Sequence, residues 1–465
     1  MVTPNTPPTR RERDDAMTAE PLALRTEAEQ TLLSAFEAAK SRLPGDARIA
    51  ERRAAAIDHF RRTGLPHRRI EEWKYTDLRA LMRHAAPLAS EPGEGPAEHV
   101  PAGADPLDGV DRSPIVIVNG VFQPDMSDHE ELDGVTVTSL AEALAGGDRR
   151  IGALVEDGMN VALSLNTAFM AGGVLIEVAE GARPPRPLEL IHVVTGARPV
   201  GVYIRNVVSV GPGASVRIVE SHRGPGGVAY QVNVTNELSL SDGAHVVWAK
   251  LQAEGDGALH LGSLVTRLDA QAALDHLTIT AGAAASRSQI FLTMAGEGAR
   301  VALNGTTMIA GTQHADLTLA IDHRAPGATS RVLYKNIARD RATGAFQGKI
   351  FVHREAQKTD ARMMNRTLLL SEEASFAAKP ELEIWADDVQ CGHGSTSGRI
   401  DEDMLFYFLA RGIPRAEAER LLVIAFLAES IEALGDAELV AALEPAVERW
   451  LASTRSVAPE DRRPA

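Results

Sequence analysis

The sequence predicts a mainly β chain with helical ends, and three observations predict it. Short apolar runs separated by small-residue turns fill the region from about 114 to 390. Helical spacing is confined to the stretches before about 84 and after about 400. Between them a small-residue turn recurs, with alanines at Ala214, Ala244, Ala272, Ala299 and Ala328 spaced 30, 28, 27 and 29 residues apart. A turn that repeats near 28 residues with no helix between suggests the stacked coils of a parallel β-helix. An antiparallel sandwich, whose strands also return every 8–12 residues, is the competing architecture.

The elements follow in order. Residues 1–20 are polar and proline-containing with little to bury, and read as a disordered tail. Met17 competes with Met1 as the true start. An N-terminal helical region and linker spans 21–113. In it Ala54, Ile57 and Phe60 continue a helix that Gly64 stops, with Pro66 beyond. Residues 85–110 are rich in Pro, Gly, Ala and Glu and read as a loop. The β core is expected over 114–400, beginning with Ile115-Val116-Ile117-Val118. A C-terminal helical domain follows over 401–455, and 456–465 reads as a second disordered tail. There Asp401 can cap a helix running to Arg411, and Gly412 ends it. Pro414 opens the next helix, which Gly435 ends, and Asp436 can cap a last helix that Pro445 threatens to split. Leu421, Ile424, Ala428, Ile431 and Leu434 share one face of the middle helix, and Leu422, Ala425 and Phe426 widen it. Such a face serves as core or as a docking surface.

Composition excludes several functions. A 465-residue chain carries enough apolar side chains, 44%, to fold without disulfides or structural metals. With 48 Lys+Arg against 63 Asp+Glu, the net charge of −15 repels phosphate backbones, so no nucleic acid partner is expected. No run of 18 apolar residues and no apolar leader occurs, so neither a membrane partner nor export is expected and the default address is cytoplasmic. One cysteine makes neither an internal disulfide nor a complete zinc or iron–sulfur site.

Familiar catalytic motifs are missing. The glycines around Lys349 have the wrong spacing for a phosphate loop, and no HExxH, CxxC or GxSxG occurs. What remains is Cys391-Gly392-His393-Gly394-Ser395-Thr396. If this segment is a strand, Cys391 and His393 share a face, and the flanking glycines leave them approachable. Thiolate and imidazole suit iron, zinc or copper, yet two ligands are half a site. The remainder would have to come from a second chain or a bound cluster. A small buried cysteine beside a hydrogen-bonded histidine explains the pair equally well. His222, His314, His323 and His353 show no ligand spacing and read as surface or hydrogen-bonded coil residues.

Several segments together resemble the SufD-type members of the SufB/SufD family, which belongs to the bacterial SUF iron–sulfur assembly machinery. They are Glu71-Glu72-Trp73-Lys74-Tyr75-Thr76-Asp77-Leu78, the Cys391–Thr396 motif with Gly398-Arg399-Ile400-Asp401, and then Phe406-Tyr407, Arg411-Gly412-Ile413, Leu421-Leu422 and Ala425-Phe426. The resemblance runs from about residue 20 to 455. It implies a right-handed parallel β-helix core between helical ends, and a non-catalytic scaffold subunit. It also implies pairing with a SufB-like subunit, and docking of a SufC-like ABC ATPase through the C-terminal helices. Arg411, Gly412, Leu421, Leu422, Ala425 and Phe426 are the implied contacts, and ATP chemistry would sit in that partner. His393, with Cys391 adjacent, maps onto the family's interface motif, where transient iron or a nascent cluster would be held jointly. No cofactor is then bound stably by the chain alone, and a homodimer in the absence of the partner is open. The scaffold cysteine of SufB has no counterpart near Met363-Met364-Asn365-Arg366, so this chain is a poor sulfur acceptor.

A different function class is a β-helix polysaccharide lyase or hydrolase using Asp387 and Asp388. Adjacent strand residues face opposite sides, however, and aromatic side chains for sugar stacking are scarce.

Overall fold

The computed structural model describes residues 25–89, 107, 109–130, 132–156 and 158–453. The expected tails over 1–20 and 456–465, the choice of start, and most of the expected 85–110 loop lie outside them. Nineteen strands among the described residues alternate between two sheets, of ten and nine strands, that wind as a β-solenoid of about eight turns. The parallel architecture prevails over the sandwich. From Gly201–Val210 onward each strand of about ten residues pairs residue for residue with the strand two positions along the chain. Antiparallel pairing is confined to the N-terminal end, between Val135–Ser139 and Val174–Val178 and between Ser113–Val118 and Val121–Phe122.

The recurring turns build one corner of this solenoid. Gly213, Gly243, Gln271, Gly298, Gly327 and Lys358 each adopt positive φ, between 55° and 68°. Their amides donate to the next coil's corner, as in Gly213 N–H to Asp242 O (2.9 Å) and Gly298 N–H to Pro326 O (3.0 Å). Each of the five spaced alanines follows such a residue and is fully buried, because a larger side chain would not fit inside the bend. The 28-residue alanine repeat is therefore the coil length itself.

Inside, side chains stack in rows, such as Ile218, Trp248, His276, Leu303, Val332 and Met363. Outside, much of both sheets is covered as well. Leu259, Leu261 and Ala285 pack against Phe36, Ile57, Phe60 and Trp73 from the N-terminal region. On the other sheet Val219, Leu251, Leu277 and Ile337 pack against Val423, Leu427, Ile431 and Trp450. Strands buried on both faces lose clean alternation, which is why the sequence reads as short apolar runs.

The helical ends match the expected stops, with differences. Helices Glu27–Ala39 and Ala47–Thr63 are capped by Thr26 and Asp46, and Gly64 closes the second. Asp401 caps Glu402–Leu409, Arg415–Glu432 follows Pro414, and Asp436 accepts from Leu439 N–H at 3.0 Å. Pro445 does not split the last helix, which runs continuously over Ala437–Ser453. The buried stripe of Arg415–Glu432 also differs from the expected one. It runs through Val423, Leu427 and Ile431; of the expected face Ile431 and Leu434 are buried, whereas Leu421, Ile424 and Ala428 are half-buried, as are Leu422 and Phe426, and Ala425 is exposed. The middle of that helix, Leu421 to Ala428, is a continuous apolar run, so spacing alone allowed two faces, and contact with the solenoid and the last helix selected one.

Candidate functional site

The signature segment 71–78 is a clasp between the N-terminal helices and the solenoid. Trp73 is buried with its ring 4.0 Å from the Arg287 guanidinium, and Arg287 Nη2 donates to the Glu72 carbonyl at 2.6 Å. Arg287 is ion-paired to buried Asp316, which also accepts from the Thr76 hydroxyl. Thr76 Oγ1 lies 2.9 Å from His314 Nε2, and Lys379 pairs with Glu71. The side chains of Trp73, Thr76 and Glu71 and the Glu72 carbonyl therefore hold the helices onto the sheet.

The Cys-x-His motif occupies the last strand, Gln390–Gly398. That strand pairs on one side with Asp360–Leu369 and has no partner on the other among the described residues. Cys391 lies opposite Ala361 and His393 opposite Met363. Both partners are buried inside the solenoid, so Cys391 and His393 continue inward-facing rows at the open end. The expected shared face is present. Their positions are roughly 6.6 Å apart along the strand, a span that one metal ion or a cluster edge can bridge. Arg331, Arg362, Met363, Met364 and Gly392 line the shallow depression around them.

Chemically the two differ. Cys391 is half-buried, and burial pushes its thiol above the ordinary value, with Asp360 adding to the rise against a backbone hydrogen bond at Ala361. A raised thiol rests protonated and must lose its proton to bind metal. His393 is exposed, with no hydrogen-bond or ion-pair partner among the described residues, which leaves its ring nitrogens available to another group. A Cβ at Gly394 would meet only the flexible end of Met364, at 2.8 Å, and Gly392 has open space, so packing demands glycine at neither position.

Asp387 and Asp388 stand in the last corner turn rather than in a cleft. The Asp388 carbonyl accepts from Lys358 N–H at 2.6 Å, its N–H donates to Gln357 Oε1 at 2.9 Å, and its carboxylate pairs with Lys358. They continue the corner ladder, and the polysaccharide reading finds no support.

Beyond the solenoid, the helix Glu402–Leu409 exposes Met404, Phe406, Tyr407 and Leu409, with Phe406 70% exposed. Arg411 stacks 3.4 Å from the Tyr407 ring, and Gly412 makes the positive-φ turn into the next helix. Phe426 covers Lys335 at 4.7 Å, so it is partly spent on the solenoid contact. The exposed aromatic pair was present in the sequence as Phe406-Tyr407 but carried no spacing signal to mark it as surface.

Two of the four histidines expected at the surface or in coil are buried instead. His222 and His323 are 1% and 0% exposed, on strands facing the interior. Adding one coil length would have revealed it, because His192 and His222 are in register 30 residues apart.

The described residues thus form a two-sheet parallel β-solenoid protein with helical ends and a Cys-x-His pair on its last strand. The SUF-system FeS cluster assembly SufBD core domain model matches residues 192–426, and the SufBD protein N-terminal region matches 26–190. The chain belongs to this family. The iron–sulfur cluster assembly protein SufD of Escherichia coli (strain K12) is 31% identical over 383 residues, covering 82% of this chain and 88% of the relative. A SufBD family protein of Synechocystis sp. is 29% identical over 437 residues, covering 91% and 95%. The chloroplastic protein ABCI7 of Arabidopsis thaliana is 32% identical over 277 residues, covering 57% and 58%.

Proposed function

We propose that this chain is the SufD-like, non-catalytic subunit of a SUF assembly complex, pairing with a SufB-like chain through the open end of its solenoid. The observation that carries this reading is the final strand's outer edge, unpaired among the described residues, on which His393 projects from an inward-facing row without a hydrogen-bond partner there. An unpaired edge invites β-pairing with another chain. Such pairing would bring donors from the second chain to His393 and Cys391, completing the half site for transient iron or a nascent cluster. Iron and sulfide are cargo here, so no cofactor remains with the chain alone. A second copy would occupy the same edge when the partner is absent.

The exposed Met404, Phe406, Tyr407 and Leu409, together with Arg411, Gly412, Leu421, Leu422, Ala425 and Phe426, form the surface for a SufC-like ATPase. ATP chemistry belongs to that partner, since no phosphate loop occurs in this chain. No helix among the described residues is long and apolar enough to cross a membrane, and the proposed place of work is the cytoplasm.

Anaerobic co-purification with the SufB-like and SufC-like chains tests the reading. A stable complex is expected, in which His393→Ala preserves assembly but lowers iron and sulfide content severalfold, and Cys391→Ala lowers it less. A chain that binds neither partner would sink the proposal. Undiminished iron and sulfide in His393→Ala would remove His393 from the site.

A further inference from the structure

A second donor cluster lies deep inside the solenoid. In-register strands place His192, His222 and Gln252 in one inward row, and Glu220 and Lys250 in the row beside it. His260 enters from the opposite sheet and Glu254 from the bend that follows Gln252. All seven side chains are buried, none more than 7% exposed. Six strand-to-strand steps, through Gln252, Thr280, Thr307, Asn336 and Thr367, separate His222 from Ser397 on the open edge. At strand spacing that is about 29 Å, so this cluster is independent of His393.

Hydrogen bonds define its state. Glu220 accepts from Lys250 Nζ (3.1 Å), Asn236 Nδ2 (2.8 Å) and Trp248 Nε1 (3.1 Å), and lies 2.6 Å from His222 Nε2. His260 Nε2 is 3.2 Å from Lys250 Nζ, and its Nδ1 is 3.0 Å from Glu254. An ammonium only donates, so His260 Nε2 accepts, and its Nδ1–H donates to Glu254. Two carboxylates then face one ammonium, leaving one negative charge uncompensated among buried side chains.

Two overlapping sets of donor atoms gather in this cluster, His192–Glu220–His222 and His222–Glu254–His260, and ring geometry separates them. Those of His222, Glu254 and His260 all lie within 4.8 Å of one another. The His222 and His260 rings meet edge to face at 77°, so their in-plane lone pairs can be turned toward a common point. The His192 and His222 rings are instead stacked within 8° of parallel, and their lone pairs run side by side. Gln252 adds an independent sign. Its Nε2 donates to Glu254 at 2.7 Å, while its Oε1 is buried with no hydrogen-bond partner. A buried amide oxygen left without a donor is costly unless a cation or a water meets it, and here it lies beside two imidazoles and a carboxylate.

We propose that His222, Glu254, His260 and Gln252 form a closed site for one divalent first-row transition-metal ion inside the lumen. Two imidazoles, a carboxylate and an amide oxygen suit zinc, ferrous iron or cobalt. Lys250 is the competing cation, holding the His260 and Glu220 acceptors when no metal is bound. A site this enclosed fills while the chain folds and exchanges slowly afterwards.

The test uses the full-length chain without a histidine tag, produced in minimal medium containing cobalt and dialysed against EDTA. About one equivalent of cobalt should remain, with ligand-field absorption in the visible range. X-ray absorption should show only nitrogen and oxygen neighbours, because the single cysteine lies on the distant edge. His260→Gln should lower retention at least tenfold. Lys250→Met, which removes the competing ammonium, should retain at least as much cobalt as the parent. Absence of cobalt from both the parent chain and Lys250→Met overturns the proposal. So does a cobalt–sulfur distance, or retention abolished by His393→Ala, since either places the ion at the surface pair. These readouts on the parent chain stand even if His260→Gln fails to fold.

Discussion

Trp73→Ala should release the N-terminal helices from the solenoid. Trp73 is 2% exposed among Phe36, Ile57, Phe60, Leu65 and Leu78, and its ring stacks on Arg287. Truncating a buried aromatic side chain costs about 3–5 kcal/mol, including roughly 1–2 kcal/mol from a desolvated cation–π contact. Arg287 would keep Asp316 and the Glu72 carbonyl, so the loss is confined to the tryptophan contacts. Trp73→Phe, which keeps a ring but a weaker cation–π partner, should lose only about 1–2 kcal/mol. Hydrogen exchange is the suitable assay, because a chain of this size need not unfold in one step. A loss of 4 kcal/mol corresponds to about three decades of faster exchange in helix Ala47–Thr63, with the solenoid strands beyond the clasp little changed. Less than tenfold acceleration, or equal effects of Phe and Ala, would refute the clasp.

Two further outcomes follow from the solenoid. At Gly296 a Cβ would run into the backbone of Asp269 and Ala270, which cannot swing aside, so Gly296→Ala should cost about 2–3 kcal/mol in a urea midpoint. Gly213 has open space but a φ of 64°, so Gly213→Ala should cost only about 1 kcal/mol, and equal losses at the two sites would contradict this reading. Stability should also fall as pH drops from 6.5 toward 4. Burial lowers His276 and His323 to about 4, so the unfolded chain takes up their protons first and the native state loses ground until its own histidines protonate. Each adds a slope of up to about 1.4 kcal/mol per pH unit in that window, and His323→Gln should reduce it; a flat urea midpoint between pH 6.5 and 4.5 would count against the buried neutral rings.

Much of the architecture was legible because it rests on local rules. The alanine repeat marked the coil corners, since bends admit only small side chains, and Gly64, Asp401 and Asp436 marked helix ends through capping chemistry. The alternation of Cys391 and His393 onto one face followed from strand geometry alone. The face of helix Arg415–Glu432 was legible only in part, because its continuous apolar run from Leu421 to Ala428 offers more than one stripe. The roles of Asp387 and Asp388 were also undetermined until the corner ladder fixed Asp388 against Lys358.

By itself, then, the sequence determined the coil length, the helix boundaries and the Cys391–His393 pair, all of which depend on neighbours within a few residues or on a simple period. Only the tertiary structure decided that this pair ends an open stack and that Trp73 reaches Arg287. It alone brought His222, Gln252, Glu254 and His260 together inside the lumen. The physical reason is that winding carries residues about 30 positions apart into direct contact, and register across the sheets chooses which of them meet.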